Sequence, residues 1–86
     1  MVLESFSFSK VIRFYETGVK SYFGEQLIEY GYPVDAIRRI EKRNQILVRC
    51  GADETKKFVR DNLQRVTDDL DQYEEQLLYQ AIRSIF

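Results

Sequence analysis

Leu27-Ile28-Glu29-Tyr30-Gly31-Tyr32-Pro33 decides how this chain folds. Residues that suit a helix end run into Gly31, the residue type that takes a left-handed backbone without steric penalty. Pro33 then suits the first turn of a new helix. A helix stop and a helix start thus sit within three residues of each other. Upstream, Tyr22, Phe23, Leu27, Ile28 and Tyr30 recur at helical spacing. Gly18 precedes them, and glycine costs about 1 kcal/mol inside a helix, so a break is expected near Gly18. An earlier helix would open at Phe8 under a Ser7 cap, with Val11, Ile12 and Tyr15 on one face. The alternation of Ser and Phe over 5–9 leaves a short strand, Ser5–Lys10, as the competing reading.

Downstream, Ala36, Ile37, Ile40, Ile46 or Leu47, and Val48 predict a helix over 33–49, although its β-branched end also suits an extended chain. Gly51 ends that element, and Asp53 is a candidate N-cap for a helix from Glu54 with Phe58, Val59, Leu63 and Val66 on its apolar stripe. A last helix is expected to open at Thr67 or Asp68. It carries Leu70, Tyr73, Leu77, Leu78, Ala81, Ile82 and Ile85, with Asp68, Asp69 and Asp71 complementing its positive end. One Pro and four Gly are too few turn residues for an all-β fold. The expected fold is all-α: one domain over 1–86, an orthogonal bundle of four or five helices.

Composition narrows the chemistry. Six Tyr and six Phe supply enough apolar area for a core without disulfides. The chain has no His and one Cys, which removes the usual zinc, haem and iron–sulfur ligand sets and the His-based triads. Cys50 lacks an activating base and suits a small buried site at a helix end. No enzyme activity, cofactor or metal is therefore expected; a carboxylate-based active site is the residual enzymatic reading. The lone Cys fits a reducing, cytoplasmic or nuclear home, and neither a basic leader nor a membrane-length apolar run is visible. The net charge is −1, divided as +2 over 1–50 and −3 over 51–86. That polarity is too weak to name a nucleic acid or membrane as partner.

Four constellations remain. Tyr30 and Tyr32 flank a glycine turn and form a candidate apolar platform for another protein, the alternative being that both rings pack in the core. Arg38, Arg39, Lys42 and Arg43, with Arg49 and then Lys56, Lys57 and Arg60, would track phosphates if the helices over 33–49 and 54–66 formed a nucleic-acid reader. The competing reading is a solvated face paired with neighbouring acids, which the overall charge favours. Asp68, Asp69, Asp71, Glu74 and Glu75 read as a capped, solvated helix start, since the loop glycine of an EF-hand is absent. Apolar residues at 77, 78, 81, 82 and 85, with Tyr79 and Phe86 off that stripe, suit either core closure or a homodimer contact.

Over about residues 20–66 the chain resembles a ubiquitin-associated (UBA) domain of the type found in inhibitor-of-apoptosis proteins. Tyr30-Gly31-Tyr32 stands where that family carries a Met-Gly-Phe/Tyr loop between its first two helices. Asp35-Ala36-Ile37-Arg38-Arg39-Ile40 follows, then Ile46-Leu47, Gly51, and Phe58-Val59 leading to Asn62-Leu63 in place of a di-leucine. The resemblance implies a three-helix core with added terminal helices, ubiquitin as a candidate partner, and Tyr30, Gly31, Tyr32 and Leu63 as contact residues. The alternative function is a small nucleic-acid-associated regulator using Arg38, Arg39, Lys42, Arg43 and Lys57.

Overall fold

A left-handed Gly18 (φ 73°) begins the part of the chain that the computed structural model describes, residues 18–86. The helix expected from Phe8 and the alternative strand Ser5–Lys10 lie outside the described residues. Ser21 is extended and caps α1 (Tyr22–Tyr30), its Oγ accepting the Gly24 N–H at 2.8 Å. The buried Glu41 carboxylate, from the neighbouring helix, holds this entry in place. Its Oε2 accepts the N–H groups of Lys20 and Ser21 at 2.9 and 2.7 Å. These two donors precede the helix and have no intrahelical partner of their own, so a charged acceptor satisfies them well.

The end of α1 follows the sequence logic. Gly31 is left-handed at φ 103°. Its N–H reaches Leu27 O and Ile28 O, each at 3.0 Å, and the Tyr32 N–H reaches Leu27 O at 2.9 Å. That pair of reversed bonds is a Schellman motif, and it turns Tyr32 back onto Leu27 inside the core.

Pro33 (φ −60°) occupies the cap position just before α2 (Val34–Arg43), one residue ahead of its expected place in the first turn. The helix predicted over 33–49 is broken at Asn44. The Asn44 backbone is off-helix (φ −126°, ψ 65°), and its Nδ2 donates to Ile40 O at 3.0 Å. A 3-10 helix, Gln45–Arg49, follows and turns Leu47 inward while leaving Ile46 and Val48 outside. The helix predicted over 54–66 is broken in the same way at Asn62. Its backbone is off-helix (φ −128°, ψ 35°) and divides α3 (Ala52–Asp61) from α4 (Leu63–Thr67), while its Nδ2 donates to Phe58 O at 3.0 Å. In both cases the Asn backbone N–H keeps its bond to the carbonyl four residues back, at 2.9 Å, and the side-chain amide adds a second bond to the same oxygen as the backbone leaves the helix.

The cap before α3 is Gly51, not Asp53; Glu54 Oε1 accepts the Gly51 N–H at 3.3 Å. The last helix, α5 (Gln72–Ile85), opens four or five residues later than expected. Asp71 caps it in a reciprocal pair with Glu74: Asp71 Oδ1 accepts the Glu74 N–H at 2.8 Å and Glu74 Oε1 accepts the Asp71 N–H at 3.1 Å. Asp68, Asp69 and Leu70 therefore precede the helix, and Asp69 is left-handed (φ 71°), which Asp tolerates better than most residues. Tyr73, expected on the apolar stripe, is 70% exposed.

Helix α1 is central, touching α2, α3, α5 and the 3-10 helix. Phe23, Leu27, Ile37, Ile40, Leu47 and Leu78 are fully buried around it. Gly24 allows the tight approach: a Cβ there would lie 2.5 Å from Val19 Cγ1 and 2.9 Å from Ile37 Cγ2. Phe86 closes one end, stacked on Phe23 at 6.0 Å and tilted against Tyr22 at 6.3 Å. Leu77, Leu78, Ala81, Ile82, Ile85 and Phe86 thus pack into or against the chain's own core. The fold is an all-α bundle, with no strand among the described residues.

Candidate functional site

The turn after α1 splits its two tyrosines between solvent and core. Tyr30, the last residue of α1, is 38% exposed and Gly31 beside it is exposed. Tyr32 is 3% exposed, and its hydroxyl donates to Glu74 O at 2.7 Å. Burial first, then the nearby Glu74 carboxylate, pushes the Tyr32 phenol well above its ordinary range. Tyr32 is therefore a core residue rather than a contact residue, because the Schellman motif folds it inward and the start of α5 covers it. Leu63 is half-buried and packs against the core from the start of α4. The structure brings Tyr30 and Gly31 to the surface as one feature, with Tyr32 as its anchor beneath.

Glu74 is the residue that sequence reasoning missed. Its main-chain oxygen receives the Tyr32 hydroxyl, its Oε1 caps α5, and its Oε2 receives Arg39 Nη2 at 2.7 Å. The same guanidinium reaches Asp69 O at 3.0 Å. A chain position that reads as one acid in a solvated run thus ties α5 to both α2 and the turn. The available signal was the Asp-x-x-Glu spacing at 71–74, which marks a capping box.

The basic and acidic constellations are in part each other's partners. Arg43 pairs with Asp68 Oδ2 at 3.3 Å and Asp69 Oδ2 at 3.2 Å, and Arg39 pairs with Glu74. Two of the five candidate phosphate-binding residues are engaged this way. Arg38 lies beside Gly18, while Lys42 and Lys57 are exposed on separate helices. Glu75 receives the Tyr79 hydroxyl at 3.0 Å. An open cleft of about 510 Å³ between Leu63 and Tyr79 borders Asp68, Asp69 and Glu75. No group of three or more His, Cys, Asp or Glu side chains is placed to hold a metal ion among the described residues.

No family model, curated protein or solved structure matches this chain. The site must therefore be read from its own geometry. Cys50 is half-buried, its Sγ donates to Ile46 O at 3.3 Å, and burial with the nearby Glu54 charge pushes its thiol upward. A thiol held protonated is a poor nucleophile. No helix among the described residues is long and apolar enough to cross a membrane. What the turn exposes is the Tyr30 ring and Gly31 on a backbone held by hydrogen bonds.

Proposed function

We propose that this chain is a non-enzymatic protein-interaction module that contacts its partner through Tyr30 and Gly31. The observation that carries the reading is the division of labour in the turn: an exposed aromatic ring on a backbone fixed by three hydrogen bonds and by a buried tyrosine anchor. Such a loop is ordered before it binds, so little conformational entropy is lost on association. An aromatic side chain in that setting is the residue type most often found at binding hot spots. The UBA resemblance makes ubiquitin the first partner to test, with one departure. Tyr32 and much of Leu63 face the core, so recognition would centre on Tyr30 and Gly31 alone.

Titrating ubiquitin into isotopically labelled protein tests this reading. Amide shifts concentrated at Tyr30 and Gly31 are expected. Tyr30→Ala should weaken binding by roughly thirtyfold, the value of a hot-spot side chain, while leaving Tm within a few degrees. Shifts confined to other surfaces, or a Tyr30→Ala variant that binds as well as the parent, would remove the turn from the interface.

A further inference from the structure

A second exposed apolar surface lies on the 3-10 helix. Ile46 is 54% exposed and Val48 is 43% exposed, although the residue between them, Leu47, is fully buried. Neither side chain is outside because its backbone is loose. Leu47 N–H donates to Asn44 O at 2.9 Å, Cys50 N–H to Leu47 O at 3.2 Å, and buried Asn44 is itself bonded to Ile40 O. The 3-10 helix is thus pinned on its inner side, and it presents two stiff β-branched side chains on its outer side.

The charge within the stretch that forms this ledge has one sign. From Lys42 to Cys50 every ionisable group that carries charge at neutral pH is a base: Lys42, Arg43 and Arg49. Arg43 is held by Asp68 and Asp69, whereas neither Lys42 nor Arg49 has an ion pair among the described residues. The nearest acid upstream, Glu41, is buried and bonded to Lys20 and Ser21. Downstream, past Gly51, Asp53 is exposed and Glu54 is turned to the Gly51 N–H.

We infer that the 3-10 helix is a docking ledge for an acidic amphipathic segment of another protein. Apolar side chains of that segment would cover Ile46 and Val48, and its carboxylates would meet Lys42 and Arg49. Charge complementarity selects this occupant, because an apolar segment with basic flanks would face repulsion at both ends of the ledge. Two modest side chains bury little area, so the contact is weak and depends on its charges.

The test uses a synthetic peptide with leucines at helical spacing and only Asp and Glu between them, titrated into the full labelled chain. Shifts are expected at Gln45–Cys50, saturating at high micromolar peptide. Ile46→Ser, an exposed change that should leave Tm unaltered, should weaken binding by roughly tenfold. The double variant Lys42→Glu, Arg49→Glu should do the same, and affinity should fall with added salt. A matched peptide with Lys in place of its acids should leave Gln45–Cys50 unshifted. Equal binding of both peptides overturns the inference, as does the absence of shifts at Gln45–Cys50. Concentration-dependent shifts there without peptide would assign the ledge to a second copy and overturn it. Displacement of the acidic peptide from those residues by a short DNA duplex would also overturn it.

Discussion

Gly31 and Tyr32 show how much one residue's backbone can decide. A Cβ at Gly31 would meet nothing within 4 Å, so any penalty for a side chain there comes from φ 103° alone. Gly31→Val should therefore cost about 1–2 kcal/mol or more, read as a lower Tm. An unchanged melt would mean the turn is not pinned there. Tyr32 supplies a pH test. Its folded-state pKa is raised, so its neutral form is favoured by folding, and that stabilisation is complete below the unfolded value of about 10. It is lost as the pH climbs above that value, because the unfolded chain then releases a proton that the native state retains. Tyr32→Phe should cost about 0.5–1.5 kcal/mol near neutrality through the lost bond to Glu74 O. It should also flatten the alkaline decline, measured as urea-denaturation stability at stepped pH values. A parent and variant that fall in parallel above pH 10 would contradict this burial. The sequence made Gly31 legible because only one residue type tolerates that backbone. It left Tyr32 open because a tyrosine after a turn is equally at home inside or outside.

Element boundaries were legible where a glycine marked them and obscure where an asparagine or the reciprocal Asp71–Glu74 cap did. Asn44 and Asn62 both lie within apolar patterns that continue at helical spacing, so periodicity alone reads straight through them. Their off-helix backbones, with the side-chain amides bonded to Ile40 O and Phe58 O, break the pattern in space without breaking it in sequence. Close packing between elements was equally hidden, since Gly24 reads as a weak helix residue and acts as the contact point of α1 with Val19 and α2. With neighbours at 2.5 and 2.9 Å from the absent Cβ, Gly24→Ala gains helix propensity and loses more through overpacking. A net destabilisation of about 1–3 kcal/mol is expected in chemical denaturation. Stabilisation by this substitution would show that α1 and α2 can separate without loss.

For the whole molecule, the helical class was legible from turn scarcity and periodicity, whereas the mutual pairing of the basic and acidic runs was not. Sequence placed Arg39 and Arg43 beside local acids; the fold carries Asp68, Asp69 and Glu74 to them from 25 to 35 residues away. The same long-range closure bears on whether the UBA-like stretch is an autonomous unit. Leu78 and Ala81 of α5 are fully buried, Phe86 stacks on Phe23, and Glu74 receives Tyr32. Each large apolar side chain so buried is worth about 1.5–3 kcal/mol. A domain of this size is stable by only about 5–10 kcal/mol in total. Removing α5 forfeits Leu78 and Phe86 outright and uncovers Phe23 and Tyr32, a loss that approaches the whole margin. A fragment spanning 18–67 should then lack a cooperative thermal transition by circular dichroism and show narrow amide dispersion, while the full chain melts cooperatively. A fragment that melts within a few degrees of the full chain would make α5 an appendage and Tyr32 a residue covered only incidentally. It would also return Tyr32 and Leu63 to the surface available for a partner, which is the one arrangement in which all four contact residues expected from the resemblance act together.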